Sequence, residues 1–171
     1  MPKVLKNDGL TLIGLLTAMF LIILVLSTAN SLFVFGIKAY YLNLDRLEVQ
    51  ENLRVGLDRV SRELRQAVRI TTIEDHMRGR LTFIDLKQDV ISYRISKSGD
   101  TEAVYQLIRS SDGSGHNSVA RYITGINVKP ANADQDVRTV HLKLTGEKGG
   151  SGIMDVSTTV TLRNWTREME L

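Results

Sequence analysis

A chain of 171 residues has room for one domain of ordinary size plus an appendage, and 43% hydrophobic, 24% charged and two prolines are the proportions of a folded protein. Cysteine is absent, which excludes disulfide frameworks, thiolate metal sites and cysteine nucleophiles together. A net charge of +3 does not point to nucleic acid unless the basic residues cluster on one face.

Lys3 and Lys6 open the chain, partly offset by Asp8, and from Gly9 to Ile37 there is no charged side chain. Leu10–Ile37 would be about 42 Å long as a helix, against a hydrocarbon thickness of about 30 Å. The twelve Leu, Ile, Val and Phe residues of Leu10–Leu26 contribute roughly 4 to 7 kcal/mol to insertion as an upper bound. Inside a bilayer every backbone group must be paired within the segment, so the span is expected to be helical. The two lysines keep the short N-terminus cytoplasmic by the positive-inside rule, placing everything after Lys38 outside the cytoplasm. The competing reading of this segment is a secretory signal cut near Ser27, Thr28 and Ala29.

The junction Asn7-Asp8-Gly9-Leu10-Thr11-Leu12-Ile13-Gly14-Leu15-Leu16 resembles the prepilin leader of type IV pilin-like proteins. The resemblance implies a leader at 1–9, cut between Gly9 and Leu10 by an aspartic prepilin peptidase on the cytoplasmic side, with methylation of the new amine. Cutting before the apolar stretch leaves it on the mature protein, first as an anchor and later as an assembly surface. Leu12, Gly14, Leu15, Leu16, Phe20 and Ile23 are then the subunit-packing residues. At the fifth mature position the family usually carries glutamate, and here stands Gly14. That glutamate is thought to pair with a neighbour's N-terminal amine, a contact of about 4 kcal/mol at about 4 Å and an effective dielectric of about 20. A chain without it can receive such a contact at Leu10 and cannot offer one, as suits a tip or initiating subunit. A divergent minor pilin that docks by apolar packing alone is the plainer alternative.

Beyond Lys38, Leu42, Val49, Leu53, Leu57, Val60, Leu64 and Val68 recur at helical spacing, so an amphipathic helix is expected over 38–70, continuous with the apolar half at 10–37. Such a helix would extend about 90 Å. Its charged face, Asp45 to Arg65, reads as solvated surface with acids early and arginines late, as the helix dipole favours. Gln50–Arg59 and Arg62–Ala67 are similar to the corresponding region of PilW-like minor pilins and J-type pseudopilins.

From Leu81 the period changes to two. Strands are expected at Leu81, Phe83 and Leu86; at Val90–Ile95; at Val104, Gln106 and Ile108; at Val119–Thr124 and Gly125–Val128; at Val137–Leu144; and at Ile153–Leu162. Gly- and Ser-rich turns separate them. The fold class is therefore α+β: a long N-terminal helix packed on an antiparallel sheet within a β-rich extracytoplasmic region at 71–171.

Chemistry is sparse. His76, His116 and His141 lack metal-ligand spacing, and Asp112-Gly113-Ser114-Gly115-His116 lacks both the lysine of a phosphate loop and the carboxylates of a calcium loop. Neither metal nor cofactor is expected. Ser110, Ser111 and His116 have no strand-turn-helix setting for nucleophilic attack, so an enzyme is not expected. Arg59, Arg62, Arg65, Arg69, Arg78 and Arg80 could meet DNA phosphates, but neighbouring acids favour subunit contact. Asn164-Trp165-Thr166 matches a glycosylation acceptor by chance, and Trp165 reads as packing.

Three functions follow: a minor pilin or pseudopilin of a pilus, type II secretion or competence filament; a bitopic sensor or binding module with a permanent anchor; or a secreted domain. The first implies other pilins or pseudopilins, the prepilin peptidase, a membrane platform protein and an assembly ATPase as partners, with membrane lipid around the span before assembly.

Overall fold

The computed structural model describes residues 12–74, 78–99, 104–112, 114–130 and 137–164. Two compact units divide the chain, residues 1–41 and 42–171. One helix, α1 (Leu12–Gln66), supplies the described part of the first unit and opens the second. Eight strands follow: β1 (Arg69–Glu74), β2 (Arg80–Ile84), β3 (Val90–Lys97), β4 (Tyr105–Ser111), β5 (Ser114–Arg121), β6 (Ile123–Lys129), β7 (Thr139–Gly146) and β8 (Met154–Thr161). The fold is α+β, with the helix packed on antiparallel sheets.

The helix ends at Gln66, not at Ile70 as the apolar spacing suggests. Ile70, Thr71, Thr72 and Ile73 are β-branched and fit a pleated surface better than a helix, and they form β1, a strand outside those that the period-two pattern predicts. The turn is made by Ala67 N–H donating to Leu64 O at 3.2 Å and Val68 N–H to Ile84 O at 2.8 Å. Chain from beyond β8 closes the helix end: Arg163 N–H donates to Arg65 O at 2.9 Å and the Asn164 amide to Gln66 O at 3.4 Å. These satisfy carbonyls that have no partner within the helix.

Two sheets form where one was expected, a five-stranded meander β1–β2–β3–β4–β5 and a three-stranded β6–β7–β8. Tyr122 divides them with φ 61°, a left-handed conformation in which a strand cannot continue. The expected strand Val119–Thr124 is therefore split. Its first part belongs to β5, which begins back at Ser114 inside the expected Gly-Ser turn, and its last part to β6. Leu86 is exposed in the β2–β3 turn, not in a strand, and in β4 it is Leu107 that reaches the core.

The sheets are stitched where Ile126 N–H donates to Arg78 O at 3.0 Å. Gly79 makes this possible, because it has φ +69° and a Cβ there would lie 1.8 Å from Ile126 O. Gly146 likewise leaves space for Tyr122 O, which would be 2.7 Å from a Cβ and which accepts from Glu147 N–H at 3.0 Å. Over this junction lies the buried stripe of α1: Val49, Leu53, Leu57, Val60 and Leu64. A Cβ on Gly56 would be 3.3 Å from both Ala120 on β5 and Leu144 on β7, so the helix backbone meets both sheets at once.

Gly79→Ala is expected to lower unfolding stability by more than about 2 kcal/mol, from strain at positive φ together with the clash. Gly115→Ala, where a Cβ meets nothing within 4 Å, should change it by less than about 0.5 kcal/mol. Urea unfolding of the detergent-solubilised chain followed by circular dichroism measures both, and equal effects would remove the stitch from the account.

Candidate functional site

Among the described residues, α1 is the one helix long and apolar enough to cross a membrane. Leu12, Leu15, Leu16, Phe20 and Ile23 all stand exposed, Leu12 at 73% and Phe20 and Ile23 at 65%, and Gly14 is half-buried. Gly9 and Leu10 lie outside the described residues. The hydroxyls in the stretch bond to its own backbone: Thr17 donates to Gly14 O at 3.0 Å, Thr28 to Val25 O at 2.8 Å and Ser31 to Ser27 O at 2.9 Å. Bonded in this way, the three cost little to take out of water. The surface is therefore apolar in effect as well as in composition.

In the second unit the charged face of α1 is not all solvated. Glu63, expected as surface, accepts from Arg59 Nε at 2.7 Å, from Arg109 Nε at 2.8 Å and from the Tyr93 hydroxyl at 2.9 Å. Tyr93 and Arg109 face each other across β3 and β4, so one helix carboxylate ties two strands to the helix. Burial first, and then the Glu63 carboxylate, pushes the Tyr93 hydroxyl well above its ordinary range. The hydrogen bond to Glu63 raises Arg109 despite its partial burial. The sequence signal was Tyr93 on the parity of Ile91 and Ile95 with Glu63 four residues after Arg59; Arg109 shares the parity of Leu107, not that of Val104, Gln106 and Ile108.

A second tie joins α1 to the β7–β8 loop. Lys148 Nζ lies 2.8 Å from Asp45 and also donates to Glu48, with its ammonium over the Tyr122 ring at 5.1 Å. Asp45 first and Glu48 second hold it protonated well above the usual lysine range.

The structure does bring Ser110 and His116 together, Oγ to Nδ1 at 2.7 Å. At the far side of the imidazole, 3.4 Å from Nε2, stands the Arg94 guanidinium. A catalytic triad places a carboxylate behind its imidazole, and here a cation occupies the flank. His141 is on β7 against Thr159, away from His116, and His76 lies outside the described residues. No group of three His, Asp or Glu side chains among the described residues is placed to hold a metal ion. Of the basic stretch, Arg59, Arg62 and Arg80 are in ion pairs with Glu63, Asp58 and Glu74, and Arg78 stacks on Tyr105 at 4.0 Å.

No family model, no curated protein and no solved structure matches this chain.

Glu63→Ala strands the Arg109 cation, which is less than a fifth exposed, and is expected to cost about 3 kcal/mol in urea unfolding. Tyr93 and Lys148 both have folded-state values raised above the unfolded ones, so their stabilising contributions are complete below about pH 10 and are lost as pH rises beyond it. Unfolding free energy measured at pH 8 and pH 11 should therefore fall more steeply for the parent chain than for Tyr93→Phe. Parallel slopes would show that Tyr93 ionisation is not coupled to folding.

Proposed function

We propose that the chain is a minor pilin or pseudopilin, a structural subunit that is cleaved after Gly9, held in the membrane by its apolar helix and then drawn into a short filament. The observation that carries this reading is the exposed apolar surface from Leu12 to Ile37 on α1, with its hydroxyls bonded inside the helix, directly after a Gly9–Leu10 junction that resembles a prepilin leader. Before assembly lipid covers that surface. During assembly Leu12, Leu15, Leu16, Phe20 and Ile23 exchange lipid for neighbouring subunit helices, a transfer between two apolar surroundings in which close packing decides the gain. Gly14 lets a neighbouring backbone approach closely.

On this reading the work is assembly, not catalysis, and the machine is a pilus, a type II secretion system or a competence apparatus. The N-terminus begins in the cytoplasm, and residues 42–171 stand outside it, at the cell surface or in the periplasm. The partners are other pilins or pseudopilins, the prepilin peptidase, a platform membrane protein and an assembly ATPase. Because Gly14 has no carboxylate to offer, the subunit can take a glutamate contact from its neighbour at the Leu10 amine and gives none back, as suits a tip or initiating subunit; a divergent minor pilin that docks by apolar packing alone is the alternative.

Intact mass and N-terminal sequence of protein recovered from membranes of cells that carry a prepilin peptidase test the reading. It requires a start at Leu10. A start at Met1 or Pro2 would instead establish a permanently anchored binding or sensor module, and a soluble product starting near Asn30 would establish a secreted domain.

A further inference from the structure

Strand edges expose unpaired N–H and C=O groups, and three of the four edges here are obstructed among the described residues. β1 begins with Arg69, ends with Glu74 and is bulged between Ile70 and Thr72. β5 is bulged twice, and its last N–H, that of Arg121, donates to the Asn52 side chain of α1 at 2.9 Å. The outer side of β6 meets Arg78 O through Ile126 N–H. The remaining edge is β8, Met154-Asp155-Val156-Ser157-Thr158-Thr159-Val160-Thr161, which pairs with β7 along its whole length without a bulge and contains no proline or basic residue.

We propose that β8 is a docking edge and that its occupant is β8 of a second copy of this chain, added antiparallel so that one sheet runs through both copies. The strand's own pattern selects that occupant. Met154, Val156, Thr158 and Val160 face inward while Asp155, Ser157, Thr159 and Thr161 stand exposed, and residues directly opposite in an antiparallel pair must share a face. The two longest self-pairings that obey this rule are centred on Ser157 or on Thr158. In the first Asp155 faces Thr159, and in the second it faces Thr161. The one ionised side chain of the strand never meets its own copy. Asp155 is also already matched within the chain by Lys143 at 3.1 Å, so the edge has no charge that calls for a basic partner. Centred on Thr158, Val156 lies opposite Val160, Ser157 opposite Thr159 and Thr158 opposite its own copy; centred on Ser157, Val156 lies opposite Thr158, Met154 opposite Val160 and Ser157 opposite its own copy. Half-buried Met154 and Val156 gain cover. The inference concerns residues 42–171 alone and does not depend on the filament reading.

The natural absence of cysteine makes the test direct. Opposed residues in such a pair have Cα atoms about 4.5 to 5.5 Å apart, inside the range a disulfide spans. Among full-length variants in detergent micelles under a mild oxidant, Thr158→Cys should form a covalent dimer if the pairing is centred on Thr158 and Ser157→Cys if it is centred on Ser157, and Lys97→Cys on exposed β3 should not. Adding Ser157→Asp and Thr159→Asp to the Thr158→Cys chain, or Thr159→Asp to the Ser157→Cys chain, sets carboxylates directly opposite each other across the contact and should abolish the dimer while the thermal melt stays cooperative, since Ser157 lies opposite Lys143 within the chain. Monomer at both β8 positions overturns the proposal, as does a dimer that survives the opposed carboxylates. Repeated in native membranes, a cross-link to a different protein would overturn it too, by assigning the edge to a foreign strand.

Discussion

Everything in residues 42–171 depends on one stripe of α1 finding cover. Val49, Leu53, Val60 and Leu64 are fully buried, and each contributes roughly 1.5 to 3 kcal/mol relative to exposure. No single sheet supplies that cover. The stripe crosses from β4 and β5 to β7, and Gly56 marks the crossing, where side chains from both sheets approach the helix backbone. A helix seated on a junction holds the junction closed, so the glycines at 79 and 146 and the left-handed turn at Tyr122 are requirements of the same packing. They let two sheets come close enough for one helix to serve both.

Polar ties then fix the rotation of the helix, which hydrophobic burial leaves loosely determined because it is not directional. Glu63 reaches the strands near one end of the stripe and Asp45 with Glu48 reaches Lys148 near the other. With both ends held, a turn of the helix about its axis would break charge-assisted bonds at two places at once. Such bonds are stronger than neutral ones, and those of Glu63 to Tyr93 and Arg109 are partly sheltered from water and salt.

How much of this was legible follows from which physical signals are local. The apolar run, the helical spacing to Leu64 and the alternation in Val90–Ile95 are local, and the helix, the membrane-length stretch and most strands could be read from them. The start of β1 falls inside the expected helix because Val68 continues the helical spacing of Leu64, and only the β-branched cluster argues otherwise. The division into two sheets was not legible, since Tyr122 carries no glycine or proline to announce its backbone angle. Glu63 was hidden for a different reason. A carboxylate four residues after an arginine is ordinary on a solvated helix, and its burial depends on Tyr93 and Arg109, respectively 30 and 46 residues away.

The two units solve opposite problems with the same helix. In 42–171 a narrow apolar stripe is matched by partners inside the chain, and the opposite face carries charge. In the described part of 1–41 the large apolar side chains point in every direction and stand exposed. An all-round apolar helix cannot be satisfied by one sheet, which covers only one side; it needs a surrounding medium, either lipid or a bundle of other helices. The transition falls near Lys38, the first charge after the apolar run, with Tyr40 and Tyr41 next to it, amphipathic rings of the type enriched at the boundary between hydrocarbon and water. Position along a single helix thus decides whether a leucine stabilises the fold or awaits a partner outside it.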